Sequence, residues 1–355
     1  MMLDALLSLG QVDVLIIRHG AHTSVSASNY GGHAHVVAEV AVSYLSLSRY
    51  RPKPAFTQSI ESALGCPMSR YQLIVGRYVW PVCQLVVPAN VPLLVDLDDF
   101  HYRHSTQSPW TMASAKERLI KAVAHRLLRR QLGRFKGAFT LSAQDQREIE
   151  ARSALPTVFL PNVPFGPTAQ STPVPTNHHI LFVGSLWYRP NAEGINWFLT
   201  HVWPLVRAQE PRARLTLAGA APAPVRAEWA KTPGVLAPGF VEDLAATYQQ
   251  ARIVVVPLQS GGGTNIKVLE ALAYARPCLV TQFVARAFEG YLSKDKELLV
   301  ANGAQDFANQ ILTALHGANH APDSVQAGQA AIKKFFSRAT FHNTMTEFAM
   351  QFLSH

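Results

Sequence analysis

PLQSGGGTNIKVLEALAYARPCLVT, residues 257–281, sets a run of glycines between an apolar segment and a helical pattern. A branched apolar run ends at Leu258, three glycines follow, and a helical pattern begins at about Thr264 or Asn265. RPCLVT at 276–281 is a second apolar run, so the unit reads as strand, glycine turn, helix, strand. Glycines at 261–263 permit positive φ and let a ligand touch the backbone. Free N–H groups of the first helical turn, with the helix dipole, attract phosphate. Lys267 falls within that turn and can reach the same anion. Glu270 follows one turn later on the same face, placed to accept from ribose hydroxyls. Without a ligand, the same residues read as a plain glycine turn beside a surface Lys–Glu pair.

The same alternation extends upstream. HILFVGS (179–185), ARLTLAGA (213–220), GVLAPGF (234–240) and RIVVVPL (252–258) are short apolar strands. FVGSLWYRPN at 182–191 is a second strand-to-helix glycine turn, in which Gly184 and Ser185 can approach a diphosphate and Arg189 can supply charge. Trp187 and Tyr188 read either as walls for a base or sugar or as core. Asn191 is read as the N-cap of a helix over 191–209. Gly239 and Phe240 mark a third strand end, with Glu242 or Asp243 capping the next helix.

VPFGPTAQSTPVPTNHH, 163–179, is the best linker in the sequence. Before it, VDVLII (12–17), YQLIVG (71–76), VPLLVDL (91–97), GAFTLS (137–142) and TVFLPN (157–162) read as buried strands between helical patterns. Two α/β halves are expected, residues 1–165 and 166–335, with a terminal helix over 336–355. The 355 residues, 48% hydrophobic and 15% charged, suit a well-buried two-domain protein. No apolar stretch is long enough to span a bilayer, and MMLDALLSLGQVDVLIIRHG has no secretory-signal pattern. Cys66, Cys83 and Cys278 lack metal-ligand spacing and read as free thiols of a reducing cytoplasm. No metal motif is present, and helix amides with Lys267 can serve in place of an ion.

The net charge of +9 is concentrated in KERLIKAVAHRLLRRQLGRFK, 116–136, a basic amphipathic pattern. It reads as a helix on an anionic membrane surface, or as a domain helix whose apolar stripe is core. Nucleic-acid binding is a poor reading, because no recognition motif accompanies the charge. A dinucleotide oxidoreductase is disfavoured by the lack of an early G-x-G-x-x-G.

VGSLWYRPNAEGINWF, RLTLAGA and APGFVEDLAATYQQARIVVVPLQSGGGTNIKVLEALAYARPCLVT, in that order, resemble the donor half of family 4-like (group 1) glycosyltransferases. The similarity covers about residues 178–320 and is greatest to the branch found in surface-polysaccharide clusters. YQLIVGRYVWPVCQL, PLLVDLDDF, GAFTLSAQDQREIE and VFLPNVPF resemble the same family's first half more faintly. The resemblance implies an α/β protein of the GT-B fold, with two Rossmann-like domains facing a central cleft. It also implies a retaining, hexosyltransferase-like reaction. The donor would be a nucleotide-diphosphate sugar, without a separate cofactor. The acceptor would be a glycan or lipid-linked sugar at the cytoplasmic face of the plasma membrane.

By the same resemblance Glu270 binds the nucleotide ribose, and Lys267 binds phosphate with help from Gly262, Gly263 and Thr264. Gly239, Phe240 and Val241 form the base loop, and Gly184 and Ser185 lie at the diphosphate. The last helix crosses back onto the first domain. Asp98, Asp99 and His101 fall where the family places a cleft-facing loop, and are candidates for orienting the donor sugar or the acceptor hydroxyl. They read equally well as turn and capping residues.

Departures are evident. Gly262 stands where the broad family has a second acid, and Asn265 where it often has an arginine. The usual Ala-x-Gly-x-Pro turn reads Ala273-Tyr274-Ala275-Arg276-Pro277, and QFVARAFEG lacks an early glycine. Losing one charged contact costs about 1.5–3 kcal/mol, so weak donor binding, or a catalytically inactive partner in a polysaccharide assembly, is the competing reading. At the N-terminus, MMLDALLSLG reads as the family's first helix, with an initial strand missing by truncation or a misassigned start. Alternatively VDVLII is the first strand, Tyr30-Gly31-Gly32-His33 the loop, and AHVVAEVAVSYL the helix.

Overall fold

The computed structural model describes residues 1–17, 34–37, 51–97, 126, 130–151, 153–165, 172–261, 264–294, 296–317 and 322–353. The chain divides into two compact units. The first comprises Met1–Leu141, Asp145–Leu160 and Phe341–His355; the second comprises Ser142–Gln144 and Pro161–Thr340.

In the first unit β1 (Val14–Ile17) pairs parallel with β2 (Ala34–Val37). AHVV is therefore strand and not the start of a helix, which corrects the alternative reading of the N-terminal region. MLDALL is helical over Met2–Leu7 as its pattern indicates. A four-stranded parallel sheet follows in the order β3 (Ile74–Arg77), β4 (Leu93–Asp96), β5 (Gly137–Thr140), β6 (Thr157–Phe159). Both faces of that sheet are covered, which is why its strands read as unbroken apolar runs. Leu93, Val95 and Ala138 join one core with Ile60 and Val82. Leu94 and Phe139 join the other with Ala5, Met345 and Phe348. Phe348, on the last helix (Arg338–Met350), meets Phe139 edge to face at 5.3 Å.

The basic stretch 116–136 lies mostly outside the described residues. Its end is core: Leu132 and Phe135 are buried, and Arg134 donates to the Cys83 carbonyl at 3.0 Å and to the Leu85 carbonyl. Arg134 is thus removed from the set of cations available to a membrane. Among the described residues no helix is long and apolar enough to cross a membrane.

The second unit holds six parallel strands: β7 (His179–Val183), β8 (Arg214–Ala218), β9 (Val235–Gly239), β10 (Ile253–Val256), β11 (Cys278–Thr281) and β12 (Leu299–Ala301). Their order is β12-β11-β10-β7-β8-β9. Counted within the unit, that is 6-5-4-1-2-3, the doubly wound arrangement whose order reverses between its first and fourth strands. The reversal opens a crevice beyond the carboxyl ends of β7 and β10, each of which runs into a glycine-bearing turn. Two buried arginines fasten the preceding segment to this unit. Arg276 donates to the Thr172 and Pro173 carbonyls at 3.0 and 3.1 Å, and Arg252 to the Pro175 carbonyl at 2.9 Å.

The helix Ile266–Ala273 ends in a left-handed turn at Ala275, φ 57°, where the family pattern has glycine. Arg276 N–H bonds to the Ala271 carbonyl at 2.8 Å and Ala275 N–H to the Leu272 carbonyl at 3.0 Å, which is the Schellman arrangement. Left-handed alanine costs about 1–2 kcal/mol. Its buried methyl returns about 0.8 kcal/mol, and its stiffer unfolded chain about 0.4–1 kcal/mol. Ala275→Gly is therefore expected to leave thermal stability within about 0.8 kcal/mol of the parent. A gain above about 1 kcal/mol in a melting experiment would show that strain outweighs the methyl.

Candidate functional site

At the carboxyl edge of the second sheet the backbone is laced across three strand ends. Gly184 N–H donates to the Ala218 carbonyl at 3.0 Å, Leu186 N–H to Ala220 at 2.8 Å, and Gly219 N–H to Gly239 at 2.7 Å. Gly219 has φ 142°, and a Cβ there would lie 1.8 Å from the Gly184 carbonyl oxygen. The turns after β7, β8 and β9 can therefore pack as one layer only with glycine at 219.

Lys267 and Glu270 project from the helix that follows β10, and both are buried, at 7% and 4% exposure. This excludes the surface ion pair. Lys267 Nζ donates to Asn191 Oδ1 at 3.3 Å and lies 5.6 Å from the centre of the Phe182 ring. Among the described residues no carboxylate comes within ion-pair distance of it. Burial pulls its pKa down to about 8, partly opposed by the Glu270 charge. A buried ammonium that has, among the described residues, a neutral amide as its one hydrogen-bonding partner is poorly satisfied and favours an anion beside it.

Glu270 accepts from the Tyr248 hydroxyl at 2.8 Å, and Tyr248 stacks on Tyr274 with ring centres 4.9 Å apart. Burial raises the Glu270 pKa, while the Tyr248 bond and the Lys267 charge lower it. Nothing local in the sequence marks Tyr248, whose partner lies on another helix.

Asn191 is not the N-cap. The helix runs Arg189–Trp197 with Tyr188 at its cap position, and Asn191 lies in the first turn, 4% exposed. Pro190, a residue favoured in the first turn, is the signal that could have placed the start correctly. The Asn191 amide donates to the Ser185 carbonyl at 2.8 Å while accepting from Lys267. Gly184, Ser185 and Lys267 are thus brought together, through a residue assigned to a different task. Gly184 packs closely enough that a Cβ would stand 3.0 Å from both Asn191 Nδ2 and Lys267 Cε.

Other expected residues stand further off. Arg189 pairs at 2.6 Å with Glu193 on the surface of its own helix. Trp187 is 66% exposed and Tyr188 is also exposed, so neither is core. Phe240, 77% exposed, follows Gly239, whose turn is held by the Arg226 guanidinium donating to the Pro238 carbonyl at 3.0 Å. Val241 is half-buried, as is Thr264. Asp243 caps the next helix by accepting from the Ala246 N–H at 2.8 Å. Gly262, Gly263, Asp98, Asp99 and His101 lie outside the described residues.

Residues 177–317 match the family described as glycosyl transferases group 1. The match covers most of the second unit and supports a group 1 glycosyltransferase reading of it. A Klebsiella pneumoniae protein described as an uncharacterized 44.6 kDa protein in the cps region is 28% identical over 145 residues. That match takes in 38% of this chain and 37% of the Klebsiella protein, so it spans little more than a third of that relative. Among solved structures, sucrose-phosphate synthase from Thermosynechococcus elongatus superposes with a TM-score of 0.68 at 18% identity, over 99% of this chain and 91% of its own. Anabaena HepE, solved in complex with UDP-glucose, gives 0.63 at 15% identity over 96% and 99%. At these identities the likeness is one of fold. That fold is GT-B, an α/β class with two Rossmann-like domains. The family-matched region carries the crevice, the buried Lys267 and the glycine layer.

Proposed function

We propose that this chain is a retaining glycosyltransferase. It would move a sugar from a nucleoside-diphosphate donor to a glycan or lipid-linked acceptor in surface-polysaccharide synthesis. The observation that carries the reading is Lys267, a buried ammonium at the switch point of a doubly wound sheet, bonded among the described residues only to a neutral amide. A diphosphate supplies the missing charge. In this assignment the donor phosphates lie against Lys267, the Ser185 amide, the open Gly184 backbone beside it, and Gly262, Gly263 and Thr264. Glu270 takes the ribose hydroxyls, and the Gly239–Phe240–Val241 turn borders the base. Arg189, tied to Glu193, is left out of the first rank of phosphate ligands. As the glycosidic bond breaks, negative charge grows on the leaving diphosphate, and the fixed ammonium and helix N-terminus stabilise it where it forms. Asp98, Asp99 and His101 remain the assigned acceptor-side groups. The polysaccharide setting is supported by the Klebsiella relative's cps region.

Calorimetric titration with UDP, GDP, ADP and CDP tests the donor site. One of them is expected to bind saturably, and Glu270→Ala to weaken it about tenfold, as the loss of hydrogen bonds to a charged group does. No binding of any by the folded chain would overturn the reading. Binding without transfer or donor hydrolysis would favour a non-catalytic partner, the role to which Gly262 and Asn265 point.

A further inference from the structure

We propose that Asn191 is a positioning residue for the diphosphate site, its carboxamide joining the Lys267 ammonium to the Ser185 carbonyl so that the two phosphate-facing turns act as one unit. The inference rests on the donor-site reading above and adds a residue to it. The orientation of the amide is fixed by chemistry. Ser185 offers a carbonyl, which only accepts, and Lys267 an ammonium, which only donates. The nitrogen must therefore face Ser185 and the oxygen Lys267, and a flipped amide would lose both bonds. Asn191 is itself buried, so neither bond has water as a substitute.

The arrangement also has a purpose that a carboxylate could not serve. An Asp or Glu at this position would neutralise Lys267 internally and compete with an incoming phosphate. A neutral oxygen orients the ammonium, uses one of its three N–H bonds and leaves its charge for the ligand. Glu270 on the same helix and the Cys278 thiol on β11 are the titratable groups that act on Lys267 from its surroundings. Neither is bonded to it. Asn191 also links elements distant in sequence, Gly184 and Ser185 at the end of β7 and the helix after β10. Its loss would free the lysine to sample rotamers that miss the phosphate.

The test is calorimetric binding of the preferred nucleoside diphosphate to the full chain from pH 6 to pH 9.5, for the parent, Asn191→Ala and Asn191→Asp. In the parent, affinity is expected to fall as pH rises through about 8, where Lys267 loses its proton. Asn191→Ala removes an acceptor from the charged lysine, so affinity at pH 7 should drop about tenfold and the fall should begin at lower pH. Asn191→Asp should move the fall to higher pH while also weakening binding at pH 7. Opposite displacements of the pH profile are not produced by a general loss of packing. Parent-like affinity and profile in folded Asn191→Ala, or profiles that move together in both variants, would overturn this inference while leaving the donor site standing. Absence of binding by the parent overturns the donor-site reading, and this inference with it.

Discussion

Lys267→Met is expected to make the unliganded second unit more stable and, at the same time, about 10- to 150-fold weaker in binding a nucleoside diphosphate. The lysine's pKa lies at about 8 in the fold, against an ordinary value of 10.5. A group held that far down costs the folded state about 3 kcal/mol while it is protonated in both states. Methionine has similar length and no charge, and removes this cost. It leaves the Asn191 oxygen without its donor, which returns about 1–2 kcal/mol. The net gain is about 1–2 kcal/mol at pH 7, or roughly 2–8 °C in melting temperature for a unit of this size. The sign with pH is definite. Below about 8 the folded and unfolded lysines are both charged and the penalty is complete. Between about 8 and 10.5 the unfolded chain binds more protons, so the parent gains stability and the advantage of the variant disappears. Melting curves of both proteins at pH 7 and pH 10 measure this directly. A variant less stable than the parent at pH 7 would mean that the ammonium is better satisfied than its bond to Asn191 indicates.

Gly219→Ala should have the largest effect on folding. The new Cβ would stand 1.8 Å from the Gly184 carbonyl oxygen and 2.8 Å from its carbon, at a φ of 142°. A clash with a flexible side chain can be relieved by rotation, but here the neighbour is backbone. That backbone belongs to the register in which Val183 faces Ala218. Relief requires the ends of β7 and β8 to part, breaking the Gly184–Ala218 and Gly219–Gly239 hydrogen bonds. A loss of about 3–5 kcal/mol is expected, in the range of severe backbone and core lesions. Nucleotide binding should fail with it, because Gly184 and Ser185 move. Gly10→Ala is the control, since a Cβ there meets nothing within 4 Å. Urea midpoints compare the two. Equal midpoints would show that the three turns do not form one tight layer.

The architecture was legible because parallel strands covered on both faces leave continuous apolar runs, and each run ended at a turn residue. RIVVVPL, RPCLVT and TVFLPN each hold a strand, over Ile253–Val256, Cys278–Thr281 and Thr157–Phe159, shorter than the apolar run because the flanking Arg and Pro residues fall outside the ladder. Lys267 and Glu270 were legible from one helical turn of spacing beside a glycine run. Their partners were not. Tyr248 and Asn191 reach them from other elements, and separation along the chain erases any local signal. Asn191 misled in addition, since asparagine near a helix start resembles a cap whether its amide faces its own backbone or a lysine 76 positions away. Trp187 and Tyr188 show the converse, because an aromatic pair beside a strand gives no sign of which way it faces.

The two guanidinium clasps set a limit on how small a working piece of this protein can be. A fragment trimmed to the family-matched residues 177–317 would delete Thr172, Pro173 and Pro175, whose carbonyls serve Arg276 and Arg252. Arg276 would lose both carbonyls it donates to, and Arg252 one of three, keeping those of Ala314 and Gly317, a defect of about 1–3 kcal/mol for the unpaired guanidinium. The segment that looks like a tether in sequence is, from Thr172 onward, a structural part of the domain it precedes. The boundary of resemblance and the boundary of independent folding therefore differ, and an excised domain should be cut upstream of 172.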